Sequence, residues 1–548
     1  MTQSNENADV DVVVVGAGFV GIYATHYLRD QLGLTVCTFE SGSDVGGTWF
    51  WNRYPGARCD IESTHYSYSF SEELQSEWHW SERYAAQPEI LSYLNYVADK
   101  FDIRRNVQFN TRITSMVWDD AKSVWHVGTD DGKTTTTRFI VSGAGNLSIP
   151  KRPEFPGIDN FKGQLLSTHR WPHEPVDLAG KRVGIIGTGA SGIQVIQSIA
   201  PEVGHLTVFQ RTPNFACPLR NRPVSDAEHE ERVKIYPQIR QGALNNFMGI
   251  ITDEPGESAK TVSAEERKKV YDRIYYDVGG FHILVGTYAD LLFDKESNDT
   301  LADYLRDRIA DRVDDPAVAK MLTPHDHPFG TKRAPMETNY YEVFNRDNVT
   351  LVDVRANPIE EVTEKGVRVG GVEHELDVLI SAMGFNFSTG ALLEMGVVGR
   401  DGLTLNEKWA NGPETYLGIA SHGFPNFFMI TGPQSHVALT NNPLAIEDHV
   451  NFASETIRHM VENEIDTIEP TPDAEAEWGE TVRSLADATL FPLAKSFFMG
   501  ANIPGKPVAP LMYLGGSPVY RALCNEIAAE NYRGFELRGA NVGVQEPV

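Results

Sequence analysis

Cysteine is scarce. Only Cys37, Cys59, Cys217 and Cys524 occur in 548 residues, with no CxxC pair and no spacing that suggests zinc ligation or a disulfide framework. A dithiol redox centre is thereby excluded, and a reducing cytoplasm fits best. Positive charge is also short: 48 Lys and Arg face 75 Asp and Glu, and the net charge of −27 repels phosphate backbones over most of the surface. Nucleic acid is not an expected partner. No apolar run is long enough to span a bilayer, and the acidic residues 1–11 lack the basic and apolar regions of a signal peptide, so no membrane association is expected. Low-complexity segments are absent too. A composition of 41% hydrophobic and 22% charged residues is ordinary globular usage. At roughly 150 residues per domain the length allows three or four units.

What is present is one short grammar used twice. An apolar run at 11–16 leads into Gly16-Ala-Gly18-Phe-Val-Gly21, which opens a helix through Tyr27, and a second strand at 35–39 ends in Glu40. Residues 182–186 lead into Gly187-Thr-Gly189-Ala-Ser-Gly192, a helix runs to about Ala200, and the strand at 206–210 ends in Arg211. A bare GxGxxG is weak evidence, since chance gives about 0.3 matches at this glycine content. Its placement between strand and helix is informative: glycines allow a tight turn, and free backbone N–H groups meet a pyrophosphate at the positive helix end. Nineteen residues past each third glycine stands a charge, of opposite sign in the two units. Glu40 suits a free ribose 2′-hydroxyl, as in FAD or NAD, whereas Arg211 suits the 2′-phosphate of NADP.

The expected fold is α/β, with two Rossmann-like dinucleotide-binding domains, for FAD and NADP, and a helical insertion. The Pro-rich stretch 150–157 reads as a linker. Between 225 and 313 the pattern is helical and charged. Ser225 with Glu228 and Ser263 with Glu266 fit capping boxes, and Leu301, Leu305, Ile309 and Val313 recur every four residues. Strands are expected again at 349–354 and 376–381, and helices at 446–460 and 473–490. The division this implies is 1–145 for the first part of the FAD domain, 151–224 for the first part of the NADP domain and 225–330 for the insertion. Residues 331–384 then return to the NADP domain and 385–548 to the FAD domain. Two dinucleotides on one chain imply relay of a hydride to a flavin and onward, and without a CxxC the onward acceptor points to dioxygen.

Gly46-Gly-Thr-Trp49-Phe-Trp51-Asn-Arg-Tyr54-Pro55-Gly56-Ala-Arg-Cys-Asp60 resembles the flavin-side signature of type I Baeyer–Villiger monooxygenases. Phe161-Lys-Gly163-Gln-Leu-Leu-Ser167-Thr-His169-Arg-Trp171-Pro172 resembles their second signature, with Ser167 where that pattern has His. Further matches are Phe329-Gly-Thr-Lys332-Arg333, the 340–348 run and Gly500-Ala-Asn502-Ile-Pro504-Gly505-Lys506, so the resemblance covers about residues 8–538. Met383 stands where the family commonly has Thr, and Phe497 where it has Trp.

The resemblance implies an FAD- and NADPH-dependent enzyme. It would convert ketones and dioxygen to esters or lactones through a C4a-peroxyflavin and a tetrahedral adduct. Arg333 becomes the fixed cation beside the peroxide, and Asp60 its orienting partner. Read alone, Arg333 belongs to an ordinary surface Lys-Arg pair and Asp60 caps a turn. The cofactor-binding set is Gly16, Gly18, Gly21, Glu40, Thr48, Trp49, Trp51, Asp60, Tyr66, Ile113, Asn442, Gly187, Thr188, Gly189, Ser191, Gly192, Arg211, Thr212, Lys332 and Phe497. No metal ligands are expected. Ile61, Asn146, His436, Leu439 and Asn442 are candidate pocket walls, and His169 reads as a structural histidine. The other readings are a flavin monooxygenase acting on nitrogen or sulfur, and a flavin redox sensor without turnover.

Overall fold

The structure is a computed structural model that describes residues 8–539. Its first sheet has Val10–Val15 near the centre, with Val12, Val13 and Val14 fully buried. A continuous apolar run is what a parallel strand covered on both faces requires. The order across the sheet is Val397–Val398, Ile113–Asp119, Val124–Thr129, Thr134–Ser142, Val10–Val15, Val36–Phe39, Val107–Gln108, and Phe427–Met429 pairs additionally with Thr134–Ser142. The helix Phe19–His26 follows the central strand and is buried almost all round. It continues as a wider π-helical turn, Tyr27–Gln31, so the helical run extends past the expected end at Tyr27.

The second sheet has five strands, all parallel, in the order Val349–Asp353, His205–Gln210, Arg182–Ile186, Val378–Ser381, Gln164–Ser167. The helix Ala190–Ile199 covers it, burying Ile193, Val195, Ile196 and Ile199. A three-stranded antiparallel sheet, Ile359–Val362, Gly366–Val369 and Val372–Glu375, lies beside it and was not anticipated from the sequence. Its strands are four residues each, too short for a period to declare itself.

Between these strands come Asp226–Leu244, Ala264–Arg273, His282–Val285, Lys295–Arg312 and Pro316–Leu322, all helical. The short parallel pair Cys217–Pro218 and Met336–Glu337 ties the two ends of this stretch together. The four-residue stripe divides its burial. Leu301 and Leu305 pack with Tyr271, Phe281 and Phe329, whereas Ile309 and Val313 join the core of the second sheet. Ser263 and Glu266 make a full capping box. The box expected at Ser225 is only half made: Ser225 caps the Glu228 N–H, but the Glu228 carboxylate is drawn away by Arg222 and Arg232. Two guanidinium partners offer it more than one main-chain N–H.

The chain crosses between the sheets twice, and the crossings touch. Pro150 bridges Phe385, and the Lys151 N–H donates to Gly384 O at 2.9 Å. No described helix is long and apolar enough to cross a membrane.

Candidate active site

The first glycine turn is built by close approach. Gly16 has φ +84°, and a Cβ there would lie 2.8 Å from Gly143 O; a Cβ on Gly21 would lie 1.8 Å from Gly16 O. Gly18 faces Gly47, and the helix Phe19–His26 begins on it with no side-chain cap, leaving its first N–H groups free. Glu40 is buried at the end of the second strand, with Oε2 accepting from Ala17 N at 2.8 Å and Oε1 from Gly42 N at 2.6 Å. A carboxylate has about four lone-pair sites, so acceptor capacity remains for hydroxyl groups.

The second turn repeats the design. A Cβ on Gly187 (φ +109°) would meet Ala382 O at 2.5 Å, and one on Gly192 would meet Gly187 O at 2.2 Å, while Gly189 faces open space. The helix Ala190–Ile199 again starts uncapped, at Gly189. Ser191 lies in its first turn, and Thr188 Oγ1 donates to Thr212 O at 3.2 Å. Arg211 is exposed at the strand end. Around it gather Lys332 and Lys151, each feeling its charge, and Arg355, which shares Asp326 with Lys332. Burial lowers the Lys332 ammonium's proton affinity, and Asp326 opposes this. Sequence reasoning missed Lys151 and Arg355, which carry no motif.

The segment after the first turn spans both units. Thr48 is exposed at the start of the short helix Thr48–Trp51. Trp49 Nε1 donates to the Tyr66 hydroxyl at 3.1 Å, and its carbonyl accepts from Gln87 Nε2 at 2.5 Å. Arg170 lies 5.8 Å from the Trp51 ring. The Tyr54 hydroxyl reaches Gln194 on the second unit's helix, and Gly56 (φ +81°) sits so near that helix that a Cβ would lie 2.5 Å from Gln194 O. Gln194 had no signal in the sequence, being one polar residue inside an amphipathic helix.

This segment ends at Asp60, where Arg333 meets it, Nη2 to Oδ2 at 3.0 Å. Asp60 is buried and its Oδ1 has no partner; burial pushes its proton affinity up while Arg333 pulls it down. Arg333 is held from other sides as well, its guanidinium 5.4 Å from the Phe281 ring and its carbonyl accepting from Asn214 Nδ2 at 3.0 Å.

Other expected residues are more dispersed. Phe497 packs 4.9 Å from Phe387 and 4.3 Å from Phe498, in a loop whose Asn502 and Lys506 reach Phe385 O and Phe387 O. Ile113 is sealed among Val13, Val15, Cys37 and Phe39, so its side chain belongs to the sheet core. Asn442 is exposed at the start of the helix Asn442–Glu462, while its neighbour Asn441 is buried and donates to His65 O at 2.6 Å.

Ile61 and Asn146 each line a small cavity, Leu439 packs against the apolar cluster that includes Phe498, and His436 is almost fully buried. Its ring is stacked 4.1 Å from Tyr520, with Nε2 3.5 Å from Asp448 Oδ2. His169 Nδ1 is 2.6 Å from Ser167 Oγ, and its ring stands edge-on to Phe385 at 4.4 Å. Burial pushes its imidazole down to about 4, hence neutral at pH 7. Among the described residues no cluster of His, Cys, Asp and Glu is suited to a metal ion.

Comparisons with known proteins agree on one group. The flavin-binding monooxygenase-like family model matches residues 9–214. A Baeyer–Villiger monooxygenase of Pseudooceanicola batsensis is 46% identical over 526 residues, 96% of each chain. A phenazine N-monooxygenase of Lysobacter antibioticus is 42% identical, covering 97% of this chain and 98% of that one. The crystal structure of OTEMO in complex with FAD and NADP superposes with a TM-score of 0.94 at 41% identity, over 97% of this chain and all of that one.

Proposed function

Since this chain belongs to the Baeyer–Villiger type of flavin-binding monooxygenases, we propose that it uses NADPH and dioxygen to convert a ketone into an ester or lactone, with Arg333 as the charge-stabilising residue. The observation that carries this reading is the Arg333–Asp60 pair, standing where the segment from the first glycine turn meets the second unit. Within the described residues we assign 8–145 and 385–539 to the FAD domain, 151–224 and 331–384 to the NADP domain, and 225–330 to the insertion.

The residues fit both cofactors. The two turns exclude any Cβ at Gly16, Gly21, Gly187 and Gly192 and leave uncapped helix ends for a pyrophosphate, and each strand end carries the matching charge. FAD would be held by Gly16, Gly18, Gly21, Glu40, the 48–51 helix, Asp60, Tyr66, the main chain at Ile113 and the helix end at Asn442. NADPH would be held by residues 187–192, Arg211, Thr212 and Lys332, with Lys151 and Arg355 adding charge and Phe497 offering an aromatic face. When bound, FAD takes hydride from NADPH and supplies reduced oxygen to the substrate.

The Arg333 guanidinium stabilises negative charge that develops on oxygen during insertion beside the carbonyl. Asp60 fixes the guanidinium plane. Buried Trp49, with half-buried Trp51 and Tyr66, limits water at the reacting atoms. The protein works in the cytoplasm on a small-molecule ketone.

The test is product analysis of a ketone panel with NADPH under ¹⁸O₂. One labelled oxygen in the ester is expected, and a protein that consumes NADPH without forming ester refutes the reading. The phenazine N-monooxygenase relative favours one second reading, oxygen transfer to nitrogen, which the same panel detects with an aromatic N-heterocycle added.

A further inference from the structure

Behind Asp60 lies a cavity of about 10 Å³, room for a single water. Its lining includes Asp60, Glu62, His65, Tyr84 and His282, brought together from distant parts of the chain and closed by Ile250, Ile251 and Phe281. Four buried polar atoms without a partner belong to these residues: Asp60 Oδ1, His65 Nδ1, the Tyr84 hydroxyl and His282 Nδ1. Leaving them unsatisfied costs about 1–3 kcal/mol each, and buried polar groups are met by protein or by ordered water.

The tautomers follow from the bonds that are made. His65 Nε2 accepts from the Ile251 N–H at 3.3 Å, so its proton sits on Nδ1, a donor. His282 Nε2 faces the Glu62 carboxylate at 3.4 Å, and Glu62 is held ionised by Arg83, so His282 carries its proton on Nε2 and leaves Nδ1 an acceptor. Asp60 Oδ1 is an acceptor and the Tyr84 hydroxyl either. A water that accepts from His65 Nδ1–H and Tyr84 and donates to His282 Nδ1 and Asp60 Oδ1 satisfies all four. Arg240 and Arg232 oppose protonation of His65, whereas His282 has the Glu62 carboxylate 3.4 Å from its Nε2.

The overall reaction needs such a route. Ketone, dioxygen, NADPH and one proton give ester, NADP⁺ and water, so each turnover consumes one proton from bulk solvent at a site that must exclude it. We propose that this cavity holds one ordered water that relays that proton from His282 to Asp60. A proton from solvent first adds to His282 Nδ1; that N–H bond then breaks as the water gains the proton, returning His282 to its Nε2-protonated form. The water passes one proton to Asp60 Oδ1, forming an O–H bond, and this bond breaks in turn as the proton goes to the oxygen that departs as product water, which restores the carboxylate paired with Arg333. Asp60 thus both orients Arg333 and delivers the proton. This inference rests on the monooxygenase reading given above.

Two measurements test it. A high-resolution crystal structure of the FAD-loaded protein is expected to show a water within hydrogen-bond distance of Tyr84, His65 Nδ1, His282 Nδ1 and Asp60 Oδ1. A dry cavity, or ketone or ester bound in it, overturns the proposal. His282→Gln keeps a donor for Glu62 but cannot relay. Its flavin reduction by NADPH is expected to be unchanged while turnover falls on the order of 10²-fold, with a larger solvent deuterium isotope effect and rescue by imidazole. Tyr84→Phe, should His282→Gln fail to fold, is expected to raise the isotope effect in the same direction. Unchanged turnover and isotope effect in a folded variant overturn the relay. Ester formation by the unaltered protein is read separately, so failure of the relay and failure of the monooxygenase reading are told apart.

Discussion

The Tyr54 hydroxyl donates to Gln194 Oε1 at 2.9 Å, and Gln194 Nε2 returns a bond to Arg58 O at 3.1 Å. A single glutamine on the second unit's helix thereby holds the segment that leads from the first glycine turn to Asp60. Tyr54→Phe leaves Gln194 Oε1 buried without its donor, at a cost of about 1–3 kcal/mol. Thermal unfolding is expected to fall accordingly, and KM for NADPH to rise. A variant with unchanged melting and kinetics shows that the bond holds nothing.

Arg333→Ala removes the fixed positive charge. Loss of one such stabilising group costs about 2.7–4 kcal/mol, so ester formation is expected to drop a hundred- to a thousand-fold. Lys rescues poorly because a point charge does not reproduce the planar fork that Asp60 and Phe281 hold. FAD stays bound, since the first glycine turn and Glu40 are untouched. Single-turnover measurements that still give ester at the original rate remove Arg333 from the mechanism.

Coenzyme choice follows the cation cluster. A charge-assisted pair to the 2′-phosphate contributes about 1.5–3 kcal/mol, hence a ten- to hundred-fold preference for NADPH over NADH. Arg211→Ala is expected to lose most of it, and Lys332→Ala a smaller share because Asp326 already shares its charge. The ratio of kcat/KM values for the two coenzymes is the measurement, and a ratio near one in the unaltered protein contradicts the assignment.

His169 sets an acid limit. Its imidazole is lowered to about 4 by burial, whereas the unfolded value is near 6.5. Between these values the unfolded chain binds more protons, so stability is full above pH 6.5 and falls as pH drops toward 4, by at most about 1.4 kcal/mol per unit. Denaturant titrations of His169→Gln are expected to show a shallower fall over this window. An identical slope in both proteins places the acid sensitivity elsewhere.

The fold class is legible in the sequence because each dinucleotide unit concentrates its information. An apolar run, three glycines and a charged strand end lie within thirty residues and have few alternative structures. The return of 397–398 and 427–429 to the first sheet is not legible, since these strands are two and three residues long and pair with partners hundreds of positions away. At the site, Asp60 and Arg333 are named by motif, but no motif carries Gln194, Lys151 or the cavity behind Asp60. Those depend on which loops happen to face one another. The contact of His436 with Tyr520, 84 residues on, is likewise set by folding and carries no signal in the sequence.

The paired crossings at Pro150 and Phe385 have a consequence for assembly. All five strands of the second sheet lie between residues 164 and 381, and the chain entering and leaving that stretch does so through hydrogen-bonded neighbours. During synthesis the second unit can therefore complete its sheet while the first still waits for Val397–Val398 and Phe427–Met429 to emerge. The unit encoded in the middle of the chain matures before the one that begins it. Until then, the 140–142 end of Thr134–Ser142 and the outer side of Ile113–Asp119 stand open to wrong partners.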